Sequence, residues 1–203
     1  MTSGLLRPTA AIILAGGRAS RLGGADKPLI SVAGRTLIEH ALDAAADRER
    51  VVVVGGPFEI GGHQVFWTRE DPPFGGPVSA VIAGLGMLDD ERITEVLLLA
   101  SDLPEAVALV ARLDAASLPA HADGVIARDG SGREQWLAGR YRLAPLRQAA
   151  AALGSGAGMP MRRLLEGLTL VVIDVGETAA DLDTWQAIGE YRRAHPHSGR
   201  ITP

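Results

Sequence analysis

Three short, unbroken apolar runs constrain the fold most: Ala10 to Ala15 (AAIILA), Val51 to Val54 (VVVV) and Val96 to Ala100 (VLLLA). None alternates apolar with polar residues. Strands of this kind bury both faces, which is the habit of parallel sheets covered by helices. Helical spacing fills the gaps. Thr36 to Ala46 places Leu37, Ala41 and Ala44 or Ala45 on one face, and Val78 to Leu88 reads as a small-residue helix. Gln64 to Thr68 is a shorter strand, and Asp71 to Pro77 (DPPFGGP) is too rich in proline and glycine to be regular. Further along, helices are expected over 106–113, 145–153, 161–166 and 184–193, and strands over 124–128, 137–142 and 168–172. The alternation predicts a single-domain three-layer α/β/α sandwich with a mostly parallel, Rossmann-like sheet over residues 1–193. Residues 194–203 (AHPHSGRITP) read as a flexible polar tail.

In such sheets ligands bind outside the carboxyl ends of the strands. The first run ends in a glycine-rich loop, LAGGRASRLGGADKP (Leu14 to Pro28), and the Val96 run delivers Ser101-Asp102. The two segments are therefore expected at one site. The loop carries Gly16, Gly17, Gly23 and Gly24 with Arg18, Arg21 and Lys27, and Lys27 is the only lysine of the chain. Glycines let backbone amides converge on phosphate oxygens, and the cations add local positive charge. The familiar phosphate templates are absent. Lys27 stands between Asp26 and Pro28, which excludes a P-loop, and Gly16-Gly17-Arg18-Ala19-Ser20-Arg21 is not a dinucleotide fingerprint. The latter weighs against an NAD-dependent oxidoreductase.

Composition narrows the classes further. A net charge of −4 gives no support to general nucleic-acid binding, so phosphate recognition must be local. No apolar run approaches the ~20 residues of a membrane span. There is no cysteine, which excludes thiolate chemistry and fits a cytoplasmic protein. The five histidines are scattered, and no Ser/His/Asp set emerges.

The loop resembles the LAGGxxxRxGGxDK signature of the molybdenum cofactor guanylyltransferases, within the nucleotidyltransferase superfamily. Leu14-Ala15-Gly16-Gly17, Arg21, Gly23-Gly24 and Asp26-Lys27 carry the match. Glu70-Asp71 with Gly76-Pro77-Val78-Ser79-Ala80, then Leu97 to Pro104 (LLLASDLP), Arg133 to Tyr141 and Asp181-Leu182-Asp183-Thr184 follow in the family's order. The resemblance implies that Lys27 and Arg21 neutralise triphosphate charge. It assigns the backbone of Leu14, Ala15, Gly16 and Gly17, together with Lys27, Asp71 and Asp102, to the nucleotide. Asp102 becomes the main Mg²⁺ ligand and Asp183 a second one. Trp136, at the family's proline position, is either a stacking wall of the pterin pocket or core. From the residues alone, the alternatives are that Asp102 caps the helix beginning near Pro104, that Asp183 caps the last helix, and that Asp71 is a turn residue. Two departures stand out. Val78-Ser79-Ala80 replaces Leu-Ala-Gly, and Gly55-Gly56 stands where the family often has a nucleotide-contacting asparagine.

The implied reaction is Mg²⁺-dependent transfer of GMP from GTP to molybdopterin, with release of pyrophosphate. The implied partners beyond GTP and molybdopterin are molybdenum-insertion proteins and molybdoenzyme chaperones. A CTP-dependent molybdopterin cytidylyltransferase, a sugar-phosphate nucleotidyltransferase and a non-catalytic nucleotide-binding module are the alternatives.

Overall fold

The structure, a computed structural model, describes residues 9–16 and 26–196. A seven-stranded sheet forms its middle layer. The strands are β1 (Thr9–Leu14), β4 (Arg50–Val54), β5 (Phe66–Thr68), β6 (Glu95–Ala100), β7 (Gly124–Asp129), β8 (Glu134–Arg142) and β9 (Leu170–Gly176). Their spatial order is β5-β4-β1-β6-β8-β7-β9. All run parallel except β8, which is antiparallel to both β6 and β7. The exception has a simple cause. Only residues 130–133 join β7 to β8, far too few for the crossover that a parallel pair requires.

The strand period of two sends side chains to both layers. Ala11 and Ile13 face α1 (Leu37–Ala44) and α3 (Ala106–Ala115), packing with Ile38, Leu42, Leu109 and Leu113. Ala10 and Ile12 face α2 (Pro77–Leu85), α4 (Leu143–Ala151) and α5 (Met161–Leu165), packing with Val81, Leu146 and Leu164. A Cβ at Gly84 would come within 2.5 Å of Ile12, so glycine lets α2 press against the sheet. Val78, Ser79 and Ala80, the departure noted above, are all buried in the first turns of α2.

Elements absent from the sequence reading complete the molecule. Ser31–Val32 (β2) and Arg35–Thr36 (β3) form a small antiparallel hairpin whose turn residues Ala33 and Gly34 both have positive φ. Its Val32 joins Ile30, Leu37, Leu182 and Ile188 in a third apolar cluster, which seats α6 (Trp185–Ala194). No helix of the described residues is long and apolar enough to cross a membrane.

Candidate active site

The site follows from strand register. Leu14 pairs with Val54 on one side and Ala100 on the other, so three strands stop at one level. The ladder continues one step beyond. Ala15 N–H donates to Val54 O (2.9 Å), Ser101 N–H to Leu14 O (3.0 Å), and Gly55 N–H to Thr68 O (2.9 Å). Ala15-Gly16, Gly55 and Ser101-Asp102 are thereby set side by side. Gly55 has φ +129°, and a Cβ there would lie 2.8 Å from both C and O of Ala15. Glycine is needed at this point for the backbones to approach so closely.

Lys27 opens a 3₁₀ turn, Lys27–Leu29, with Pro28 in its first positions. Its ammonium donates to Asp102 Oδ2 at 2.7 Å and to Asp183 Oδ1 at 2.5 Å. The contact joins residues 75 and 156 positions apart in the chain. Asp102 begins the segment after β6. Asp183 lies on an extended stretch tied to it, because Leu182 N–H donates to Asp102 O at 3.1 Å. Leu182 is buried, so its neighbours Asp181 and Asp183 turn the opposite way, both toward Asp102. Carboxylate oxygens of Asp102, Asp181 and Asp183 all lie within 4.8 Å of one another. This oxygen-only set suits a hard divalent cation such as Mg²⁺.

Electrostatics agree with the geometry. Burial alone would lower the Lys27 ammonium, but the Asp102 and Asp183 carboxylates outweigh it and hold it above its ordinary range. Partial desolvation, followed by repulsion from Asp183 and Asp102, raises the Asp181 carboxyl. Among the described residues, one ammonium faces three carboxylates, and a cation would ease the repulsion that raises Asp181.

Neither Asp102 nor Asp183 caps a helix. The N-cap of α3 is Glu105, and that of α6 is Thr184, whose hydroxyl accepts from Ala187 N–H at 3.1 Å. Both aspartates are thus spared for the cluster. Gly17 and Arg21 lie outside the described residues. Asp71 sits exposed on the loop between β5 and α2 and makes none of the hydrogen bonds that join the cluster. Asp181 was not singled out from the sequence. The i, i+2 spacing around a leucine was the available signal.

Beside the cluster opens a cleft of about 570 Å³, lined by Asp102, Asp181, Gln135, Trp136 and Met161 among others. Trp136 packs against the core and also lines this cleft. A larger groove of about 790 Å³ runs along residues 58–67 and holds none of the clustered carboxylates.

The profile of the MobA-like NTP transferase domain matches residues 11–171, a span holding β1, β6 and most of the sheet. The chain belongs to this family. Among relatives of the MobA-like domain, a molybdenum cofactor guanylyltransferase of Bradyrhizobium sp. (strain ORS 278) is 34% identical over 137 residues, covering 64% of this chain and 65% of the relative. The match therefore spans slightly under two thirds of that protein's length. Among solved structures, molybdopterin-guanine dinucleotide biosynthesis protein A from Archaeoglobus fulgidus superposes with a TM-score of 0.66 at 16% identity, covering 91% of this chain and 97% of that one. The 2-C-methyl-D-erythritol 4-phosphate cytidylyltransferase of Thermus thermophilus gives 0.66 at 19%, covering 92% and 98%. The MobA-like fold is thus shared with proteins named for different nucleotides, so the fold by itself does not fix the base.

Proposed function

We propose that this protein transfers GMP from GTP to molybdopterin, in a Mg²⁺-dependent reaction in the cytoplasm that releases pyrophosphate. The observation that carries the reading is the Lys27 ammonium bridging Asp102 and Asp183 at the carboxyl end of the sheet. It pairs a mobile point charge for phosphates with carboxylates for a metal. The likeness to curated guanylyltransferases supports guanine as the base and molybdopterin as the acceptor.

A phosphate oxygen of molybdopterin attacks the α-phosphorus of GTP in line. The new O–P bond forms as the bond to the β-phosphate oxygen breaks, and pyrophosphate leaves with the electron pair. The nucleophile is already ionised near neutral pH, so a general base is not required. The barrier is charge, since an anion must approach a polyanion, and it falls chiefly through positioning and electrostatic stabilisation. Lys27 neutralises phosphate charge, aided by Arg21 of the glycine loop. Backbone groups of Leu14 to Gly17 line the nucleotide, and Asp71 approaches it from the loop after β5. Asp102 and Asp183, with Asp181 beside them, would hold Mg²⁺, whose contribution when bound is Lewis-acid neutralisation of the phosphates. Molybdenum-insertion proteins and molybdoenzyme chaperones are the proposed partners for handing the product on.

The test is turnover of purified protein with molybdopterin, Mg²⁺ and GTP, CTP or ATP in turn. Pyrophosphate release with GTP supports the reading. Preference for CTP would reassign the base, and nucleotide binding without release would reduce the protein to a binding module.

A further inference from the structure

One carboxylate outside the metal cluster organises the wall of the neighbouring cleft. Asp129 ends β7, and its side chain collects four donors. Oδ1 accepts from Ser131 N–H (2.8 Å), Ser131 Oγ–H (2.6 Å) and Arg133 N–H (3.0 Å), while Oδ2 accepts from Gln135 Nε2 at 2.5 Å. The first three bonds shape the turn. The fourth reaches past it, to a side chain on β8. These bonds hold the Asp129 carboxyl down at about 2, so at neutral pH it is ionised and only accepts.

That chemistry decides which way Gln135 faces. An amide presents a donor at one end and an acceptor at the other, and a carboxylate partner takes the donor end. With its NH₂ end held by Asp129, Gln135 keeps its amide carbonyl as an acceptor, and the residue lines the cleft with Trp136 and Asp102. Among the described residues, no donor reaches that oxygen. Strand pairing shows a second device at the same place. Ile126 pairs with Gly139 but Ala127 pairs with Gln135, so Trp136, Leu137 and Ala138 are extra residues on β8. All three line the cleft. Bulges of this sort re-aim side chains beside active sites.

We infer that Asp129 is a positioning residue for the acceptor substrate. It locks Gln135 so that the glutamine carbonyl receives an N–H donor of the acceptor, such as a ring N–H or amino group of a fused heterocycle. The inference rests on the transfer reaction proposed above. It assigns acceptor recognition to the bulged β7–β8 hairpin, apart from the nucleotide side formed by β1 and β4.

Asp129→Asn keeps the shape but adds a donor, so the Gln135 amide can reverse and present its NH₂ to the cleft. Steady-state kinetics of the full chain with GTP and molybdopterin, for Asp129→Asn, Gln135→Ala and the double variant, test this. The expected result is a rise in KM for molybdopterin of tenfold or more in each single variant, KM for GTP within twofold of wild type, and a double variant no worse than Gln135→Ala. A purely structural role would move both KM values together or lower the thermal midpoint with no KM split. That outcome, an unchanged molybdopterin KM, or additive losses in the double variant would overturn the assignment. A wild-type protein that binds GTP yet transfers nothing to molybdopterin would instead overturn the acceptor reading itself.

Discussion

Replacing Lys27 by methionine removes one positive charge while keeping most of the side chain's length, so it probes the centre of the site. The lysine side chain is 16% exposed, and Asp102 and Asp183 are 23% and 44% exposed. Exposed ion pairs contribute about 0–1 kcal/mol, whereas breaking a buried one costs about 3–5 kcal/mol. This cluster lies between those limits, so Lys27→Met should lower the unfolding free energy by about 1–2 kcal/mol. Urea titration at neutral pH measures it. The same substitution has an opposite effect on cations. It takes the Lys27 ammonium, which competes for the Asp102 and Asp183 oxygens, out of the cluster, so Mn²⁺ offered without nucleotide should bind about tenfold more tightly, about 1.4 kcal/mol. Added metal should then restore stability in the variant more than in wild type. Affinity for GTP with Mg²⁺ should move the other way, weakening by more than tenfold, because the triphosphate loses its cation. Calorimetry with Mn²⁺ alone and with GTP–Mg²⁺ reads both. Equal metal affinity in variant and wild type, with unchanged GTP affinity, would refute the claim that ammonium, metal and phosphate share these carboxylates.

Three further outcomes follow from the geometry. Asp102→Ala should abolish turnover while circular dichroism stays native, since the residue caps no helix. Asp181→Asn should remove a pH dependence: with the folded carboxyl raised above its unfolded value, ionisation costs stability above the folded pKa, and that cost disappears as pH falls below the unfolded one. Wild type should thus lose stability relative to the variant as pH rises through the window just above the ordinary aspartate range, as denaturation at stepped pH would show; parallel curves would argue against crowding at Asp181. Gly55→Ala should destabilise the fold by about 2 kcal/mol or more through positive φ and the clash with Ala15, and weaken GTP binding with it; a thermal midpoint equal to wild type would show that the strand ends can part freely.

Legibility in the sequence tracked the physics of each part. AAIILA, VVVV and VLLLA announced their strands because strands buried on both faces have little choice of residue. Lys27 and Asp102 could be brought together because both follow such strands. Asp183 was visible through the ordered motif, but its freedom from capping required Thr184 to be seen in that role. Asp181 was harder: it joins the cluster only because Leu182 is anchored by the third apolar cluster and by the bond to Asp102 O. The β2–β3 hairpin escaped notice because two-residue strands carry no periodicity. The β8 bulge escaped for another reason. Glu134-Gln135-Trp136 reads as neither buried nor alternating, and the Asp129 carboxylate that bonds to the turn and to Gln135 lies in the preceding strand.

The most direct measurement is calorimetric titration of the purified protein with GTP, CTP and ATP, each with and without Mg²⁺, alongside Asp102→Asn. The account predicts saturable binding of GTP–Mg²⁺ that weakens sharply when either the metal or the Asp102 carboxylate is removed. Indifference to all three nucleotides, or GTP binding that neither change affects, would contradict it.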